Sequence, residues 1–141
     1  TLDAVFTLPN EIFYPGASAS ACCMVFKIGT KHSDVSNPDT YFGYYKEDGF
    51  KKKKNLGRVE QLDVNTGKSK WLEIEKEWIE LYRNRKAVDG LSATHKVNGD
   101  DEWLCEAYMK TDYTKLTAQD FQQTINDYLA YLIKEGRIYE S

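Results

Sequence analysis

The sequence predicts an α+β or truncated α/β domain, because strand-like runs fill its first part and helical periodicity its second. Three short apolar runs rich in β-branched and aromatic residues, Leu2 to Leu8, Cys22 to Ile28 and Tyr41 to Tyr45, precede residue 50. From Trp71 onward the spacing changes to three and four residues. Near the end, Thr117 followed by Asp120 has the form of a capping box, with Gly136 placed as a helix stop. These observations divide the chain into a strand-rich part, 1–70, and a helical part, 71–141.

The first run, "LDAVFTL", stops at Pro9, and the second, "CCMVFKI", follows a loop bearing Pro, Gly and Ser with a central Phe13-Tyr14 pair. Both runs read as buried strands. The loop is too long for a tight hairpin, and Ile12 and Phe13 are expected to turn inward over the sheet. Loops held between rigid elements are common carriers of recognition. The third run, "YFGYY", contains Gly43 as a candidate β-bulge. Residues 46–70, punctuated by Gly49, Gly57 and Gly67, read as an exposed hairpin or long loop. Trp71, Ile74, Trp78, Leu81 and Tyr82 form one face of a helix expected to end near Gly90. "DDEWLCEAYM" is expected to form a shorter helix, with Asp100 and Asp101 at its start. In the final helix, Phe121, Ile125, Leu129 and Leu132 form the apolar stripe.

A length of 141 residues allows one domain with a real core, and 41% hydrophobic with 29% charged residues excludes a largely disordered chain. The net charge of −3 means that any contact with a polyanion must come from a local patch. Three cysteines without regular spacing point to a reducing compartment. No apolar stretch is long enough to span a bilayer, so a cytoplasmic protein without membrane partners is expected. The first strand-like run opens at Leu2 with no polar lead-in, as though cut from something longer.

No catalytic or metal-binding set can be assembled from spacing. His32 and His95 are far apart, without acidic or Cys residues at ligand spacing, and read as solvent-facing loop residues. There is no Gly-x-Gly-x-x-Gly, P-loop or nucleophile elbow. The strongest polar signal is the basic run. Lys46, Lys51, Lys52, Lys53, Lys54 and Arg58 stand against only Glu47 and Asp48, next to Tyr44, Tyr45 and Phe50. Such a patch can neutralise phosphates, with aromatic rings for stacking. A solvated turn is the bland alternative. Trp71, Trp78 and Tyr82 form a helix face suited to core packing or to a docking interface.

"LDAVFTLPNEIFYPGASASACCMVFK", "TYFGYYKEDGFKKKKNLGRVE", "EWIELYRNR" and "DDEWLCEAYMKTDY" together resemble the C-terminal part of N-6 adenine-specific DNA methyltransferases of restriction-modification systems, the type I modification subunit and its relatives. The resemblance implies that the first two runs are the last strands of a methyltransferase-like, S-adenosylmethionine-binding sheet, the final strand antiparallel. It implies that Phe13, or next Tyr14, walls the flipped-out target adenine. Lys51, Lys52, Lys53, Lys54 and Arg58 would touch DNA, and Trp71, Trp78 and Tyr82 would form an interface. The implied partners are DNA, the upstream catalytic domain of the same protein and a specificity or restriction subunit.

The family's Asp/Asn-Pro-Pro-Tyr/Phe motif and its glycine-rich cofactor motif are both missing. The nearest string, Asn37-Pro38-Asp39-Thr40, lacks the second proline and the aromatic and reads as a polar loop. The expectation is therefore a C-terminal fragment with no catalytic residues and no cofactor of its own, S-adenosylmethionine belonging to the parent enzyme. The competing expectation is a stand-alone intracellular module that binds protein or nucleic acid without catalysis. An upstream reading frame carrying the Pro-Pro-aromatic motif would decide between them.

Overall fold

A computed structural model describes residues 1–36 and 39–137 of the chain, in two compact units, Thr1–Lys110 and Thr111–Ser141. The first is an α+β unit. Its four-stranded sheet has the order β2-β1-β3-β6, with β1 (Leu2–Thr7), β2 (Cys22–Phe26), β3 (Asp39–Tyr44) and β6 (Ser92–Lys96). The central pair β1 and β3 is parallel and the outer strands are antiparallel to their neighbours. A separate hairpin is formed by β4 (Phe50–Lys53) and β5 (Gly57–Glu60), followed by α1 (Lys70–Arg83).

The pleat sends alternate residues of the central strands to two cores. On one face Val5 and Phe42 pack with Val97 and Cys105, and burial pushes the Cys105 thiol up to about 12. On the other, Ala4, Tyr41 and Tyr45 pack against Leu81 of α1. Gly43 is not a bulge: it pairs in register with Phe6 and Ser92. A Cβ there would lie 2.7 Å from the Tyr45 ring and 2.9 Å from that of Phe6, so close packing of aromatics requires the glycine. The sheet's irregularity lies instead in β1, between Leu2 and Ala4. This bulge puts Asp3 and Ala4 on the α1 side.

Other expectations are corrected. The second run forms a strand but is not buried: β2 is an outer strand, with Met24 and Phe26 exposed. The region after residue 70 is not wholly helical, because β6 completes the sheet. α1 stops at Arg83, well before Gly90, where Arg85 takes a positive φ of 51°. "DDEWLCEAYM" makes only a single 3-10 turn, Cys105–Ala107. Trp103 and Tyr108 donate to the carbonyls of Asn98 (2.8 Å) and Glu102 (2.6 Å), ties that replace a regular helix. The Asp101 carboxylate accepts from Asn98 N in a turn rather than capping a helix. His32 is half-buried, with Nε2 2.7 Å from the Val97 carbonyl, and His95 lies on β6 with its ring stacked on Tyr108. Asp39 and Thr40 open β3 rather than a polar loop, while Asn37 and Pro38 lie outside the described residues.

The second unit carries α2 (Ala118–Lys134). Thr117 and Asp120 form the expected capping box, and Gly136 follows the helix with φ 66°. No residue of α2 is buried, so Phe121, Ile125 and Leu129 present an exposed stripe.

Candidate nucleic-acid interface

The 8–21 loop leaves the carboxyl end of β1, and the basic segment leaves the carboxyl end of β3. Because β1 and β3 are parallel, both segments emerge at the same end of the sheet. In open α/β sheets this is where ligands bind.

The loop is organised by its own turns: Ile12 N donates to Pro9 O (3.1 Å), Tyr14 N to Glu11 O (3.0 Å) and Ala17 N to Phe13 O (3.0 Å). Its base is closed by Leu8 N donating to Ala21 O (3.0 Å). Phe13 does not turn inward over the sheet; it is 54% exposed, because these turns carry the side chain away from it. Tyr14 is half-buried, and the Lys52 ammonium stands 4.4 Å from the centre of its ring. Lys52 also donates to the Glu11 carboxylate (3.1 Å), which joins hairpin and loop.

Strand alternation divides the basic run. Lys51 lies opposite Val59, and Lys52 opposite Arg58. Lys52, Phe50 and Arg58 therefore share one face of the hairpin, and Lys51 and Lys53 the other. Arg58 reaches both oxygens of the buried Asp48 (2.7 and 2.6 Å) and lies over the Phe50 ring. Asp48 also accepts from Phe50 N (3.1 Å), so Asp48 and Arg58 together fix the hairpin's base. Lys46 stands 3.5 Å from Glu106, which also accepts from the Thr7 hydroxyl (3.0 Å). Lys51, Lys53 and Lys54 are exposed and form no ion pair among the described residues. Three cations of the run are thus open to an incoming anion, and the others are held by carboxylates.

Hairpin and loop border a shallow cavity of about 530 Å³, lined in part by Glu11, Lys46, Lys51, Lys52 and Arg58. Behind it, the aromatic face of α1 fastens the helix to the sheet. Trp78 stacks on Tyr45 with ring centres 4.3 Å apart, Trp71 meets Trp78 edge-on (5.5 Å), and Tyr82 meets Phe6 edge-on (5.4 Å). Tyr45 donates its hydroxyl to the Trp78 carbonyl (2.9 Å). Burial pushes the Tyr45 phenol above its ordinary range. Trp71, Trp78 and Tyr82 remain half-buried and line an apolar groove of about 320 Å³ with Phe6, Leu8 and Cys23.

The opposite end of the parallel pair is built differently. Asp3, 4% exposed, accepts from Tyr82 Oη (2.6 Å), from Lys27 Nζ (2.7 Å) and from the Arg85 guanidinium, which also donates to the Asp3 carbonyl (2.7 Å). Burial works to raise the Asp3 pKa, but the donors Lys27, Tyr82 and Arg85 outweigh it and hold the carboxyl at about 2. Sequence reading missed Asp3, Glu11 and Glu106 as acids that bind the cations, and it counted Asp48 beside the basic run without pairing it with Arg58. The alternation of a strand through Lys51–Lys54 was the one available signal that the lysines are not equivalent.

Over 131 residues, 93% of its length, the chain is 29% identical to the type II restriction enzyme and methyltransferase RM.BcgI of Heyndrickxia coagulans. The match takes in 19% of that protein, so the chain spans about a fifth of the length of the curated relative it matches. No protein-family profile matches the chain, and no solved structure matches it. The similarity ties the chain to restriction-modification enzymes. Among the described residues no helix is long and apolar enough to cross a membrane.

Proposed function

We propose that this chain is the C-terminal part of the S-adenosylmethionine-dependent N-6 adenine DNA methyltransferase module of a restriction-modification enzyme, contributing DNA contacts but not the methyl-transfer chemistry. The observation that carries the DNA role is the convergence of loop and hairpin at the carboxyl ends of β1 and β3, with three lysines unengaged. The similarity to a restriction enzyme and methyltransferase supports the assignment to such a module.

In this reading Lys51, Lys53 and Lys54 meet phosphates. An ammonium on a flexible stem suits a phosphate, whereas reading a base edge calls for the forked geometry of Arg or an amide. Arg58, the only Arg of the run, is held by Asp48 and positions the hairpin. Lys52 positions the loop, and the exposed Phe13 supplies the wall for the flipped-out adenine, with Tyr14 behind it.

The glycine-rich cofactor motif and the Pro-Pro-aromatic motif of such methyltransferases are both missing from these residues. The cofactor and the catalytic motif then belong to residues outside this sequence. Two measurements on the chain test the proposal. Fluorescence anisotropy at low salt is expected to show weak binding to any duplex, and calorimetry with S-adenosylmethionine to show no heat of binding. Methyl transfer to adenine by the chain alone, or the absence of any DNA binding at low salt, would contradict it.

A further inference from the structure

The cations held at the carboxyl end of the sheet are not held equally. Arg58 reaches both oxygens of Asp48, and these two side chains are 16% and 10% exposed. Lys52 makes a single contact, to Glu11 Oε1 at 3.1 Å, and these two are 43% and 45% exposed. A bidentate, shielded pair resists exchange, whereas an exposed pair with one contact is weak. Lys46 is also loosely held, but its acceptor Glu106 is tied to the sheet through the Thr7 hydroxyl. Lys52 is therefore the cation whose partner can leave together with a movable segment.

That segment is the loop that carries Phe13. The hydrogen bond and the ring contact that join the loop to the hairpin both run through Lys52, one to Glu11 and one to Tyr14, on either side of Phe13. The loop's other hydrogen bonds among the described residues are its own: the three turns, the Ser20 hydroxyl to Asn10, and the closure of Leu8 on Ala21. Without Lys52 the loop stands on its base and its turns alone.

Glu11 holds on Lys52 the place that a phosphate would take, since each is an anion accepting from an ammonium. The shallow cavity around the pair is also lined by Lys51, which is exposed and unpaired. A phosphate drawn there by Lys51 opposes Glu11 as a like charge. The two anions therefore exchange on Lys52 rather than share it.

We propose that this cavity is a masked phosphate site: Glu11 caps Lys52 in the free chain, and a phosphate of the DNA backbone displaces it and releases the segment that carries Phe13. The proposal rests on the DNA role proposed above and adds to it a fourth phosphate contact, one that couples capture of the backbone to movement of the loop.

Two measurements test it, on the 141-residue chain and on variants at exposed positions that should leave the fold intact. The first is DNA binding over a salt series. Lys52→Gln should reduce the slope of log affinity against log salt by about 0.9, as for any lost phosphate contact. Glu11→Gln should tighten binding about threefold, and the gain should vanish when Lys52 is also Gln. A mere change in net charge would keep that gain. The second is amide exchange with inorganic pyrophosphate, a probe that carries phosphate without DNA to cover the loop. The Ile12, Tyr14 and Ala17 amides should exchange faster with pyrophosphate than with sodium chloride of equal ionic strength, and in Lys52→Gln they should be fast already and indifferent to it. A slope that falls when Lys51, Lys53 and Lys54 are replaced but not in Lys52→Gln would overturn this inference and leave the DNA role standing. A Glu11→Gln gain that persists without Lys52, or loop amides that ignore pyrophosphate, would overturn it as well. Failure to bind any duplex would overturn both.

Discussion

The two ends of the parallel pair β1–β3 both gather cations around carboxylates, and at the carboxyl end three lysines of one hairpin stand outside those pairs. At the amino end, Lys27 and Arg85 converge with Tyr82 on the buried Asp3, and this joins β1, the segment after β2 and the segment after α1. At the carboxyl end, Asp48 and Glu11 hold Arg58 and Lys52, while Lys51, Lys53 and Lys54 stay in solvent. A count of charges does not separate these ends; the carboxylates beside the cations do. A buried acid surrounded by donors builds structure, and a cation with no acid beside it can meet a ligand's phosphate.

The largest effect on stability is expected at the amino end. Asp3→Ala removes the common acceptor of three donors, and breaking a buried pair in this way costs about 3 kcal/mol, measurable by urea unfolding. Arg85 and Lys27 are partly exposed and can regain water, which keeps the loss at the low end of the usual range.

The same site predicts a pH dependence. The folded pKa of Asp3, about 2, lies below its ordinary 3.8, so the unfolded chain takes up the proton first. Its contribution is complete above about pH 4 and is lost as the pH falls toward 2, a loss of about 2 kcal/mol. Urea midpoints of the native chain and of Asp3→Asn should therefore differ at pH 6 and converge near pH 2. A constant gap across that window would show that the carboxylate charge is not what stabilises this end.

Smaller effects are expected at the carboxyl end. Lys52→Gln breaks an exposed pair with Glu11 and should cost no more than about 0.5 kcal/mol. Its readout is the loop: the Ile12 to Ala17 amides should exchange faster.

How far the sequence revealed all this varies with the physics of each part. α2 was legible because its capping box and apolar stripe are local and depend on no neighbour. β1 was legible because it is apolar and central. β2 was legible as a strand but not as an edge, since composition records what a strand tolerates and not which strands lie beside it. β6 escaped notice because "SATHK" is short and polar, and only Ser92 and Ala93 are buried in it. At the candidate site the lysines and Phe13 were visible as residue types. Their division into free and engaged groups was not, because two of the engaging acids, Glu11 and Glu106, come from other segments, Glu11 lying 41 residues from Lys52 in the chain.

The central claim, that the free cations at the carboxyl end meet the DNA backbone, is tested most directly by the salt dependence of DNA binding. Log affinity against log salt should be measured for the native chain and for Lys51→Gln, Lys53→Gln and Lys54→Gln combined, on duplexes of two unrelated sequences. The slope should shrink by about 0.9 for each phosphate no longer neutralised, roughly 3 for all three, and equally on both duplexes. Stability should change by less than about 0.5 kcal/mol, since the three side chains are exposed and unpaired. An unchanged slope in the triple variant would contradict the claim and return the hairpin to a solvated turn.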